Sequence, residues 1–124
     1  MKKLLKKWNK LEPNRCFEQC GRFAIKFNNG LVSYCEETEP NYFLKSSILY
    51  GVMEAITNKK LFIDFAYTTF MTDHFYVRVS NPEYGHEAYR TEGYASSKDG
   101  NFTALILEAY LQYLENSLKS TTLP

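Results

Sequence analysis

The chain has 124 residues, 44% of them hydrophobic and 23% charged. That is the size and composition of one globular domain with a core of its own, and it excludes a scaffold that depends on disulfide or metal staples. The net charge of +1 excludes a strong overall field for nucleic acid. Three cysteines, Cys16, Cys20 and Cys35, form no paired framework and suit a reducing cytoplasm, and no apolar run is long enough for a signal-peptide core or a membrane span.

Residues 1–12 read as a short basic amphipathic helix ended by Pro13, with Leu4, Leu5, Trp8 and Leu11 on one side and Lys2, Lys3, Lys6, Lys7 and Lys10 around the rest. Three readings compete: a helix docked through Trp8, a basic arm that binds a partner or nucleic acid, and a membrane-surface helix. Next, Phe23, Ile25 and Phe27 alternate with polar neighbours, and Asn29-Gly30 signals a two-residue type I′ turn. That turn makes Phe27 face Val32 and Ile25 face Tyr34, so Phe23, Ile25, Phe27, Val32 and Tyr34 are expected on one buried face. Glu36, Glu37 and Glu39 then form an acidic knot.

A second helix is expected from Asn41 to Thr57, opening after Pro40, with Ile48, Val52 and Ile56 on its buried side. Leu61 to Thr69 and Phe75 to Val79 alternate as two strands joined near Met71 to Asp73. Glu87 to Tyr94 reads as an edge strand, polar on both faces, and Ser96 to Gly100 as a loop. Asn101 to Lys119 carries the strongest helical periodicity. Phe102, Leu105, Ile106, Ala109 and Tyr113 form its stripe, and Leu107, Leu111 and Leu118 are left over for a self-association or partner interface. Residues 120–124 are a tail expected to fray. The sum is a single α+β domain over residues 1–124. It has one antiparallel sheet of about five strands, an N-terminal hairpin plus a three-stranded meander. Two long helices pack on it beside the basic one.

No catalytic or metal-binding pattern stands out. His74 and His86 are isolated, Cys16-x3-Cys20 lacks zinc-site spacing, and there is no glycine-rich phosphate loop, so no enzyme, metal or cofactor is expected. The stretch richest in recognition chemistry is Tyr76 to Tyr94. Tyr76 and Arg78 lie on the strand face opposite Phe75, Val77 and Val79, and Tyr84, His86, Tyr89, Arg90 and Tyr94 follow. Tyr and Arg together suit a protein interface, and also a nucleotide held by stacking and a forked phosphate contact.

Pro40-Asn41-Tyr42 opening a helix, Tyr76-Val77-Arg78-Val79 in a strand and Thr103-Ala104-Leu105-Ile106-Leu107-Glu108-Ala109 in the last helix resemble small bacteriophage accessory proteins of the phage ABA sandwich type, over roughly residues 40–115. The resemblance implies a non-enzymatic protein of the host cytoplasm that blocks an antiviral system, such as a CRISPR-Cas complex. It would do so by binding a host protein stoichiometrically or by sequestering a nucleotide signal. A small nucleic-acid binder using the basic arm is the further reading.

Overall fold

The last helix is long because little in it resists: its interior holds no Gly or Pro, and Leu and Ala dominate its first half. The computed structural model describes residues 2–35, 41–68, 74–83, 92–97 and 102–122. The element order is α1 (Lys2–Leu11), β1 (Cys16–Gln19), β2 (Arg22–Lys26), β3 (Val32–Cys35), α2 (Asn41–Asn58), β4 (Phe62–Thr68), β5 (His74–Ser80), β6 (Gly93–Ser97) and α3 (Phe102–Thr122).

The fold is α+β and antiparallel, but the strands divide into two sheets, β1-β2-β3 and β4-β5-β6, where the sequence suggests one. The helices join them. α2 packs on the first sheet, α3 on the second, α2 and α3 against each other, and α1 against α3 and β1. One apolar core runs through all of these layers, and its largest fully buried side chains include Trp8, Tyr110, Ile25, Ile48, Leu107 and Leu111. Leu107 and Leu111 are therefore interior, contrary to the expectation that they remain available for self-association. α3 touches α1, α2 and the second sheet at once, so its apolar surface is used nearly all round. Only Leu118 of that trio is exposed.

The first sheet corrects the expected hairpin. Lys26 pairs with Val32, Ile25 with Ser33 and Phe23 with Cys35, one residue out from the expected register. The reason lies in the turn. Gly30 donates its backbone N–H to Phe27 O at 3.0 Å, and Phe27 donates to Leu31 O at 2.9 Å. Gly30 has φ +89°, whereas Asn29 is not among the residues of positive φ. This is the three-residue loop, a tight turn followed by a left-handed residue, and not the two-residue type I′ turn, which needs positive φ at both positions. The Asn29 side chain is spent locally, its Oδ1 accepting from the backbone N–H of Leu31 at 3.0 Å. A slip of one residue moves a strand's side chains to the other face. Phe23, Ile25 and Cys35 face the core, and Val32 and Tyr34 are exposed. On that outer face the Arg22 guanidinium sits 4.7 Å from the Tyr34 ring centroid, and the Tyr34 hydroxyl donates to Gln19 Oε1 at 3.1 Å.

The turn with two positive φ values is instead at Cys20 (+54°) and Gly21 (+76°), which joins β1 to β2. β1 has no counterpart in the sequence reading, because Cys16-Phe17-Glu18-Gln19 is short and poor in β-branched residues.

In the second sheet β4 and β5 follow the expected alternation, with Asp64 opposite Arg78 and Phe65 opposite Val77. β6 falls at Gly93–Ser97, sharing Gly93 and Tyr94 with the expected edge strand and running into the expected loop at Ser96 and Ser97, and its small residues are the reason it fits there. A Cβ on Gly93 would run into the carbonyl oxygen of Ala109 and would stand 2.6 Å from the amide nitrogen of Tyr113, both in α3. The strand can lie that close to the helix only because this position has no side chain. The expected strand over 87–94 and the turn at 71–73 lie largely or wholly outside the described residues. Gly93→Ala is expected to cost at least about 3 kcal/mol of unfolding free energy, at or beyond the upper end of overpacking costs because the obstruction is helix backbone. Urea titration measures it, and a cost under about 1 kcal/mol would contradict the close approach.

Candidate functional site

The Tyr/Arg face takes its form from period-2 alternation along β5. Val77 and Val79 are fully buried toward α3, so Tyr76 and Arg78 project from the opposite side of the sheet. Cross-strand pairing sets their neighbours: Asp64, Arg78 and Tyr94 form one row, Ala66, Tyr76 and Ser96 the next, and Phe62 lies opposite Ser80. Tyr94 therefore joins the row by its backbone position. Tyr84, His86, Tyr89 and Arg90 lie outside the described residues, as do the acidic knot and the His74 side chain.

Arg78 is firmly held. Its Nε and Nη2 both donate to Asp64 Oδ2, at 3.1 and 2.7 Å, and its Nη1 lies 3.5 Å from Glu92 Oε1. One guanidinium thus faces two carboxylates. A phosphate would have to displace Asp64 and then sit beside Glu92, a poor site for a nucleotide. A protein surface has no such difficulty, since it can read the oriented ion pair and the apolar surface beside it. Phe62 supplies that surface and is 60% exposed. Neither Phe62 nor the two acids was singled out from the sequence. Alternation puts Phe62 and Asp64 on the Tyr76 side, but their pairing with β5 depends on a register that composition alone does not fix.

The basic helix is split in two by its docking. Lys2, Lys3, Lys6, Lys7 and Lys10 are exposed, and Lys7 forms an ion pair with Glu115. Trp8 is fully buried, with its Nε1 donating to Glu12 Oε1 at 3.0 Å. It belongs to the core and leaves the set of arm residues able to stack on a ligand.

Two hollows are lined by described residues. The polar one, about 370 Å³, is lined by Glu12, Arg15, Asn28, Asn58 and Lys59 among others. Its groups bind one another. Arg15 donates to Lys26 O at 3.1 Å and to Asn28 Oδ1 at 3.0 Å, Asn28 donates its backbone N–H to Glu54 at 3.0 Å, and the Asn28 and Asn58 amides pair. It anchors the hairpin loop to α2. The second hollow, about 450 Å³, is apolar and lined by Phe65, Ala66, Phe75 and Phe102. Phe102 meets both of the other rings edge-on, Phe75 at 5.0 Å and Phe65 at 6.4 Å.

No group of three or more His, Cys, Asp or Glu side chains able to hold a metal occurs among the described residues. Nor does Cys16 suit nucleophilic work. Burial, then the neighbouring Cys35 and Glu18, pushes its thiol up to about 12, and the thiol donates to Leu5 O at 3.6 Å. Burial, then the Glu12 carboxylate, likewise raises the Tyr110 phenol. Compared with protein-family models, with curated proteins and with solved structures, the chain matches none.

The raised thiol and phenol fix the sign of an alkaline effect. Both groups keep their protons in the native state after the unfolded chain has lost them, so unfolding releases protons and stability falls as pH rises. The decline is expected to start near pH ~8.5 with Cys16 and to steepen above pH ~10 with Tyr110. Urea unfolding across this range measures it. Cys16→Ala should flatten the first part and Tyr110→Phe the second, and a wild-type stability that does not change with pH would contradict the assignment.

Proposed function

We propose that the protein acts by stoichiometric binding to another protein through the outer face of the β4–β5–β6 sheet. In the setting implied by its resemblance to small phage proteins, the partner is a component of a host antiviral system, such as a CRISPR-Cas complex, and binding blocks it sterically in the host cytoplasm. The observation that carries the binding mode is Arg78, held by Asp64 and Glu92 beside the exposed ring of Phe62. Interface anchors are enriched in aromatic residues and Arg, and a side chain already held in place loses less entropy on association. The same ion pairs weigh against nucleotide sequestration. A nucleic-acid role would rest on the exposed lysines of α1 without help from Trp8, and the near-neutral net charge weighs against it.

Affinity capture from host lysate tests the reading. The wild-type chain should retain a protein partner, and Phe62→Ala and Arg78→Ala should each weaken binding to that partner at least about tenfold, as anchor truncations do. Exposed ion pairs contribute about 1 kcal/mol or less to folding, so Arg78→Ala should remain folded. A rise in melting temperature with any member of a nucleotide panel, or a partner kept equally well by both variants, would contradict the proposal.

A further inference from the structure

Among the described residues β4 is an edge strand, since the sheet order is β4-β5-β6, and it is seven residues long. Edge strands in monomeric proteins are commonly protected by Lys, Pro, bulges or very short length. Phe-Ile-Asp-Phe-Ala-Tyr-Thr has none of these, and its pairing with β5 is continuous from Phe62 to Thr68. Its two phenylalanines project from opposite faces, Phe62 60% and Phe65 56% exposed. Its one charge, Asp64, is already held by Arg78 of the same chain.

We propose that β4 is the edge through which two copies of this chain associate, pairing antiparallel about a two-fold axis at Phe65. A two-fold axis normal to the sheet keeps each residue on its own face, so the residue on the axis must lie opposite itself. Phe65 is the midpoint of the strand, and centring there is the register that uses all seven residues. Phe65 then lies opposite its own copy, Ile63 opposite Tyr67, Asp64 opposite Ala66 and Phe62 opposite Thr68. Centring on Asp64 would set two carboxylates face to face. The Phe65 register also brings a second aromatic ring to the open side of the apolar hollow formed by Phe65, Phe75 and Phe102. Phe102 is itself 42% exposed. Three half-exposed rings supply roughly 300 Å² toward the about 800 Å² per partner of a stable interface, so the dimer is a weak one that dissociates on dilution. It goes beyond the partner-binding reading and is measured on the purified chain alone.

Sedimentation equilibrium from micromolar to sub-millimolar concentration should show a monomer–dimer transition in the wild type and monomer throughout in Phe65→Lys. Both Phe65 and Ala66 are exposed, so the folds of Phe65→Lys and Ala66→Lys should give the wild-type circular dichroism, and Ala66→Lys should also shift the transition to higher concentration. In a Cys20→Ser background, which removes the exposed native thiol, Phe65→Cys should cross-link between copies on mild oxidation, because opposite Cβ atoms in such a pair are about 4.5–5.5 Å apart. Asp64→Cys, facing Ala66, should cross-link far less. A wild type that stays monomeric, a Phe65→Lys variant that dimerises as the wild type does, or preferential cross-linking of Asp64→Cys would each overturn the proposal.

Discussion

One carboxylate holds the layers in their relative positions. Glu12 Oε1 accepts from Trp8 Nε1 at 3.0 Å and from the Tyr110 hydroxyl at 2.8 Å, and Lys59 Nζ lies 3.7 Å from its other oxygen. Those contacts come from α1, from the middle of α3 and from the end of α2. The Glu12 backbone works at the same point. Its N–H donates to Trp8 O at 2.7 Å as the helix ends, and its carbonyl accepts from Arg15 and Cys16, both at 3.0 Å, as the chain turns into β1. Trp8 and Tyr110 are fully buried, so their polar atoms need an acceptor inside the protein. Glu12 supplies it to both, and among the described residues no buried side-chain nitrogen or oxygen is left without a partner.

From that lock follows a division of surface. α2 packs against the first sheet and α3 against the second, and of their large apolar side chains Tyr50, Phe102 and Leu118 stay exposed. Among the described residues the other exposed large apolar side chains lie on strands or, for Leu31, in the loop before β3. The outer face of the first sheet closes on itself, with Arg22 over Tyr34 and Tyr34 bonded to Gln19. The second sheet presents Phe62 beside an ordered ion-pair cluster on one side and Phe65 near Phe102 on the other. The surface proposed for recognition is thus on the second sheet, and Glu12 sits among α1, α2 and α3.

Much of the scaffold could be read from periodicity. The stripe Leu105, Ile106, Ala109 and Tyr113 marks α3, and Ile48, Val52 and Ile56 mark the buried side of α2. The alternation that sends Tyr76 and Arg78 to one face and Val77 and Val79 to the other was also legible. The failures share a cause, which is that tertiary contacts chose between local options of similar energy. Asn-Gly permits two loop lengths, and the longer one lets the Asn28 backbone reach Glu54 and its amide reach Asn58. Ser96-Ser97 has the composition of a loop, yet the strand expected to end at Tyr94 continues through it as β6, with Gly93 lying close against α3 because it has no side chain. Of the candidate site, Arg78 was visible as a residue type. Its partners Asp64 and Glu92 were not, since cross-strand partners are set by register and loop path.

The claim that Glu12 locks the fold is tested most directly by the unfolding free energy of Glu12→Ala in urea, with Glu12→Gln beside it. The alanine variant leaves the Trp8 and Tyr110 donors buried without an acceptor, at about 1–3 kcal/mol for each, so a loss of about 2–5 kcal/mol is predicted. Glutamine keeps an acceptor and should lose markedly less. A loss under about 0.5 kcal/mol in both variants, the range of an ordinary surface substitution, would contradict the account.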